Sequence, residues 1–282
     1  MKVACKFVVA LIAGLCAIQV QPASAQENWS FTATTWYATS YNFTFKKDAE
    51  GNYPVRPSIV PFIGGTLNYY APDFLGGMGF SLTGLYGQGS PITTSISKGS
   101  SGEISLSGNS QVYDIELLIT KPLWSGHLNL FTGARYIGQR IESRDTMKNG
   151  VFQLTSDLGA PSSKSIDTKT SNDIMLGEIG ASFSSTFGVN TDWRFFGNLT
   201  MLGGVYRGSQ TDQLVGTTVA GSRRVTDGGA PVYGFDTNVG AMYSLGSLDF
   251  SARYRWVMVT PLDNPASGWL THGPEINVGI RF

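Results

Sequence analysis

Beyond residue 25 the chain has no cysteine. Both thiols, Cys5 and Cys16, fall in the first 25 residues. A mature protein without them has no disulfide, no thiolate metal site and no thiol nucleophile. Histidine is also scarce: His127 and His272 are the only two, far apart in sequence, so a compact transition-metal motif is excluded and no metal or other cofactor is expected. Charged residues make up 14% of the chain, and the 20 basic side chains are balanced by 20 acidic ones. That balance argues against a nucleic-acid partner, which calls for a basic face. After residue 25 no apolar run approaches the ~20 residues needed for a membrane helix. What the chain does have is glycine, 35 of 282 residues, and an apolar fraction of 41%.

The first 25 residues have the layout of a cleaved secretory leader. Lys2 and Lys6 form a basic start, 7–18 is an apolar stretch too short to span a bilayer, and Ala23-Ser24-Ala25 is a small-residue cleavage site. The expected mature chain is 26–282, with 18 basic against 20 acidic residues. Leu15 occupies the place where a lipoprotein signal at Cys16 would need a small residue.

An apolar, charge-poor chain without spanning helices is either a soluble all-β domain or a membrane barrel, and alternation separates the two. In a barrel wall every second side chain meets lipid while the others face the lumen. The last segment sets Pro274, Ile276, Val278, Ile280 and Phe282 against Glu275, Asn277, Gly279 and Arg281. The segment before it sets Leu248, Phe250, Ala252, Tyr254, Trp256 and Met258 against Asp249, Ser251, Arg253 and Arg255. Tyr113, Ile115, Leu117 and Ile119 oppose Asp114, Glu116 and Thr120, and similar splits run through 178–187 and 233–244. The polar parity holds mostly Gly, Ser, Thr, Asn and opposed charges, which suits a confined lumen better than a solvated sandwich face. Two segments are noisier: 128–141 changes phase near Ile137, and 193–206 puts Phe196 and Leu202 on the inner parity.

The pattern predicts an all-β chain: a transmembrane, antiparallel, up-and-down barrel of about ten strands. They lie near 29–45, 58–71, 78–88, 111–123, 128–142, 173–187, 193–207, 232–245, 248–259 and 273–282. The links alternate between long (46–57, 89–110, 143–172, 208–231, 260–272) and short (72–77, 124–127, 188–192, 246–247). Short periplasmic turns and long extracellular loops are the habit of outer-membrane barrels, so both termini are expected to be periplasmic. The stretches 92–97 and 104–107 lack an apolar parity and read as wall extending above the membrane. Tyr41, Tyr86, Tyr113, Tyr233 and Trp256 fall towards the loop ends, and Trp29, Trp124, Trp193, Tyr243 and Phe282 at the turn ends. Two such levels suit the two headgroup regions of a bilayer.

The ending Glu275-Ile276-Asn277-Val278-Gly279-Ile280-Arg281-Phe282 resembles the terminal strand of Gram-negative outer-membrane β-barrel proteins, the porin-like superfamily. The resemblance extends in a general way over the mature chain. It implies residence in the bacterial outer membrane and makes Ile276, Val278, Ile280 and Phe282 the signal read by the barrel assembly machinery. It also implies periplasmic chaperones as partners in biogenesis, with membrane lipids and lipopolysaccharide around the finished barrel.

By the same parity Asp114, Glu116, Glu178, Asp236, Asp249 and Glu275 point inward, together with Arg135, Arg194, Arg253, Arg255 and Arg281. This set is either the lining of a small, gated, porin-like channel or a packed polar core in a closed barrel that serves the surface or the envelope. Ten strands lie near the limit at which side chains fill the interior. An outer-rim hydrolase is a third class, and the expectation is against an enzyme. His127 lies in a turn. His272 has Asp263 and Ser267 nearby in sequence, but the chain contains neither Asp-x-Asp nor Asp-x-His. Asp48-Ala49-Glu50-Gly51-Asn52 reads equally as a calcium-contacting or a solvated turn. Arg223-Arg224 is either an ordinary loop pair or a contact for lipopolysaccharide phosphates.

Overall fold

A computed structural model of the chain describes residues 28–75, 77–91, 95–97, 103–123, 127–147, 152–153, 162–186, 192–216, 223–263 and 267–282, apart from 45–54. The leader, the 48–52 turn and Trp124 lie outside the described residues. Ten long strands carry the fold: β1 Trp29–Thr44, β2 Val55–Ala71, β3 Met78–Pro91, β4 Glu103–Leu123, β5 Leu128–Met147, β6 Ser165–Thr186, β7 Trp193–Leu214, β8 Arg223–Leu245, β9 Leu248–Pro261 and β10 Ser267–Arg281. Each pairs antiparallel with its sequence neighbour, and β1 pairs with β10, so the sheet closes on itself. Closure leaves no long strand edge unpaired, the one sheet arrangement that satisfies the backbone in a medium without water. Among the described residues no helix is long and apolar enough to cross a membrane.

The turn ends fall within a residue or so of the expected positions. In the Gly246-Ser247 turn between β8 and β9, Gly246 takes φ +59°, the positive value that the first central residue of a two-residue hairpin needs. The loop ends run further than expected. Strands β4 to β8 are 20 to 23 residues long, whereas β9, β10, β1, β2 and β3 are 14 to 17. An excess of about six residues, at ~3.3 Å rise and ~40° tilt, raises one side of the wall by roughly 15 Å. The segment Ser95–Ser97 pairs with Glu103 to Ser105 and belongs to this raised part.

Parity holds along the wall wherever its side chains are described. Outward-facing Met201, Ile179, Ile276, Leu199, Val239 and Leu117 are all more than half exposed, while their chain neighbours face inward. The expected phase change near Ile137 does not occur. Ile137 is 1% exposed and points into the lumen, continuing the series Phe131, Arg135, Gln139. Leu202 is likewise an inward, buried side chain.

The outer face has a measurable height. On β8 the outward Tyr243 and Tyr233 are ten residues apart with Ala241, Val239 and Phe235 between them, about 25 Å of axial height and the thickness of a barrel's apolar band. Ring pairs mark both levels: Trp193–Tyr243 at 5.1 Å and Trp29–Tyr69 at 4.5 Å towards the turns, and Tyr86–Tyr113 at 5.2 Å towards the loops.

Candidate functional site

The lumen is filled in two layers. The layer nearer the turns is ionic. Arg135 on β5 donates through Nε and Nη2 to both oxygens of Asp114 at 2.7 and 2.5 Å, and its Nη1 reaches Asp236 on β8 at 2.7 Å. Asp236 also accepts from Arg255 on β9 at 2.5 Å, and Glu275 on β10 accepts from Arg253 at 2.8 Å. The Arg255 guanidinium stands 5.2 Å from the ring centroid of Trp36, a cation–π arrangement. The ladder Asp114–Arg135–Asp236–Arg255 thus ties β4 and β5 to β8 and β9, with Glu275 4.0 Å further on. Such buried charges persist only where they are paired and hydrogen-bonded.

Two carboxylates of this layer leave a buried oxygen without a hydrogen-bond partner, Glu275 at Oε2 and Glu178 at Oε1. Glu178 is 4% exposed and lies beside Glu116, and Arg135 Nη1 stands off from its Oε1 at 3.8 Å. Five carboxylates (Asp114, Glu116, Glu178, Asp236, Glu275) share three guanidiniums (Arg135, Arg253, Arg255). A cavity of about 50 Å³ adjoins the ladder, lined by Thr34, Thr83, Glu116, Asn198, Arg253 and Arg255 among others. It has room for a few waters.

The remaining sequence-derived candidates lie apart from the ladder. Asp249 and Arg281 pair at 3.3 Å near the turn mouth, where Arg281 also donates to Gly246 O. Arg194 is exposed at the turn end of β7 and pairs with no described residue. Ile276, Val278 and Ile280 face outward on β10, and Phe282 closes the ring through backbone bonds with Trp29.

On the loop side of the ladder lies an apolar layer. Trp36, Ala38, Val60, Phe62, Leu85, Val112, Ile137, Ile174, Leu176, Leu202, Val232, Val257, Val259 and Trp269 form one buried cluster. Every one of the ten strands contributes to it. Trp36 stacks on Phe62 at 4.9 Å and donates Nε1–H to Gly273 O, while Trp269 donates to Ser40 Oγ at 2.9 Å. Both indoles thus bury their polar atom with a partner, as an interior tryptophan requires. Gly273 lets the backbones of β1 and β10 come close here: a Cβ there would meet Tyr37 O at 2.1 Å.

This septum was missed in the sequence because apolar side chains were assigned to lipid. The signal was present as runs apolar on both parities near the loop ends, such as Ile174-Met175-Leu176 and Trp256-Val257-Met258-Val259.

Neither histidine joins the lumen. His127 is exposed at a turn, with Nδ1 3.1 Å from Ser184 O. His272 lies on the outer parity, hydrogen-bonded to Tyr254 Oη at 2.7 Å and stacked on that ring.

The raised part of the wall carries single ion pairs on its outer face: Arg140–Asp173 at 3.0 Å, Arg144–Asp167 at 2.6 Å and Lys169–Glu142 at 2.8 Å. Hydrogen bonds hold Asp173 (from Tyr136, then Arg140) and Asp167 (from Arg144) below the ordinary carboxylate range. On the inner face Arg224 pairs with the buried Asp212 at 2.8 Å.

No protein-family model matches the chain, and no curated relative does. Among solved structures it is similar to the outer membrane protease OmpT of Escherichia coli, at 12% identity over 94% of this chain and 99% of that one, TM-score 0.48. The translocator domain of the autotransporter NalP from Neisseria meningitidis follows at 14% identity, covering 99% and 96%, TM-score 0.43. The attachment invasion locus protein Ail of Yersinia pestis is 12% identical, covering 91% and 100%, TM-score 0.29. These likenesses are too remote to carry an activity or a ligand over to this chain.

Proposed function

We propose that this chain is an integral β-barrel of the bacterial outer membrane with a closed lumen, acting through its lipid-facing wall and its raised rim rather than as an open pore. The observation that carries this reading is the apolar septum to which all ten strands contribute. An ion crossing it would have to shed its water among Trp36, Phe62 and Val257, and constrictions of this kind shut pores by dewetting. The 25 Å outer band between two aromatic levels supports insertion in a bilayer. The leader and the terminal-strand resemblance support the outer membrane.

A small gated channel is the second reading, favoured by the surplus of lumen carboxylates and the hydrated-size cavity beside them. Planar-bilayer recording separates the two. The wild-type barrel is expected to be silent, and Trp36→Ala with Phe62→Ala is expected to admit small, cation-preferring currents, because the carboxylates then outnumber the guanidiniums along an opened path. Sustained currents from the wild type would overturn the closed reading.

A further inference from the structure

We propose that the outer face of β6, β7 and β8, immediately above the apolar band, binds the headgroup of a phosphorylated saccharolipid in the leaflet around the loop ends. This rests on the membrane reading above and gives that wall a ligand. The strand register builds the surface row by row. Val205 is the cross-strand partner of Met175 on one side and of Pro231 on the other, and the three form the last apolar row. The next row is Asp173–Arg207–Gly229, and the one after it Ser171–Ser209–Asp227. One step along the strands thus changes the wall from lipid-like to fully polar, at the height where acyl chains give way to headgroups.

At that height there is a groove of about 520 Å³, lined by Ser171, Asp173, Arg207, Ser209, Asp227 and the glycines between them. Gly229 supplies no side chain beside Arg207, which leaves that end of the row open. Arg207 makes no ion pair with a described residue, and neither does Asp227. Arg140, the cross-strand partner of Ser171, stands at the rim and is 43% exposed.

The mixture of groups selects the ligand. The Arg207 guanidinium suits a phosphate, which Arg can grip in bidentate fashion, while Arg140, held by Asp173 and the carbonyls of Gln139 and Asn172, adds positive charge at the rim. Two carboxylates and two serine hydroxyls suit sugar hydroxyls and repel a plain anionic headgroup. Met175 and Val205, 58% and 48% exposed, offer the apolar surface on which the acyl chains of the same molecule would lie.

The test uses the full barrel in detergent, with retention of added lipid read by native mass spectrometry. A diphosphoryl, acylated glucosamine disaccharide is expected to be retained at least tenfold better than its dephosphorylated form or phosphatidylglycerol. Arg207→Ala is expected to reduce retention about tenfold and Arg207→Lys less, because lysine keeps the charge but not the fork. Ser209→Trp, which fills the groove and leaves every charge in place, is expected to abolish retention while the barrel still runs as a folded, heat-modifiable species. Equal retention by wild type, Arg207→Ala and Ser209→Trp overturns the site. So does equal retention of phosphatidylglycerol. A barrel that stays folded and monodisperse without any detergent overturns the membrane reading instead, a separate and distinguishable failure.

Discussion

In the lumen, Arg135 is fully enclosed and holds three carboxylate oxygens on two strands; on the raised wall, Arg144 holds one carboxylate and is more than half exposed. The chemistry is the same in both places, and the surroundings decide what it contributes. Inside, water cannot replace a lost partner, so each member of the ladder is bound to the others and to the barrel's register. Outside, water and salt compete for both partners, and the pairs serve mainly to keep an extended sheet polar above its apolar band.

Breaking the ladder should produce the largest effect. Arg135→Met leaves Asp114 and Asp236 enclosed with a cation removed and is expected to destabilise the barrel by about 3–5 kcal/mol. Denaturant unfolding in detergent measures it. A loss below that of the raised-wall variants described below would erase the contrast.

An intermediate effect of opposite sign is expected at Glu178, whose Oε1 is buried without a hydrogen-bond partner. Gln at this position removes a buried carboxylate and can donate to Glu116, so Glu178→Gln is expected to gain about 1–3 kcal/mol, the usual cost of an unsatisfied buried group. Thermal unfolding beside the wild type decides it, and a destabilised variant would mean that Glu178 is held by a charge contact after all.

The smallest effect belongs to the ion pairs on the raised part of the wall. Removing the Arg140–Asp173 pair, whose side chains are 43% and 34% exposed, is expected to cost at most the ~0.2–1 kcal/mol of an exposed pair. The pH dependence has a definite sign. Asp173 and Asp167 titrate below their ordinary range in the folded chain. Their contribution is therefore present above the unfolded carboxylate value of about 4 and is lost as pH falls through the folded value. A shallow fall in the unfolding midpoint below about pH 4 should be reduced in the double variant Asp167→Asn, Asp173→Asn. An equally steep fall in that variant would assign the acid sensitivity elsewhere.

The closed ten-strand barrel was legible because one rule, alternate apolar side chains outward, holds over the band between the two aromatic levels. The rule expires at the loop ends. From Ser165 to Asn172 on β6 and from Arg223 to Ala230 on β8 both faces are largely polar, since water lies on both sides, and a periodicity reading ends those strands too early. The rule also misleads where the lumen is itself apolar, which is why Ile137 looked like a phase change. The inward orientation of Asp114, Arg135, Asp236 and Arg255 followed from parity. Which of them meet did not, because Arg135 reaches from β5 to β8 and alternation along one strand carries no information about that distance.

The backbone bonds between Trp29 and Phe282, at 3.2 and 2.9 Å, bear on how freely the order of the strands could be rearranged. A closed ring has no first strand; only the covalent chain chooses one. Joining Phe282 to Asn28 through a few flexible residues and opening the chain at Gly246-Ser247 would keep every strand beside its present neighbours. Such a permuted chain would begin with β9 and end with β8, moving the Phe282 terminus into a loop while leaving the septum and the ladder in place. The closure of the ring and the position of the chain's end, which coincide at Phe282 in the present order, would then belong to different parts of one molecule.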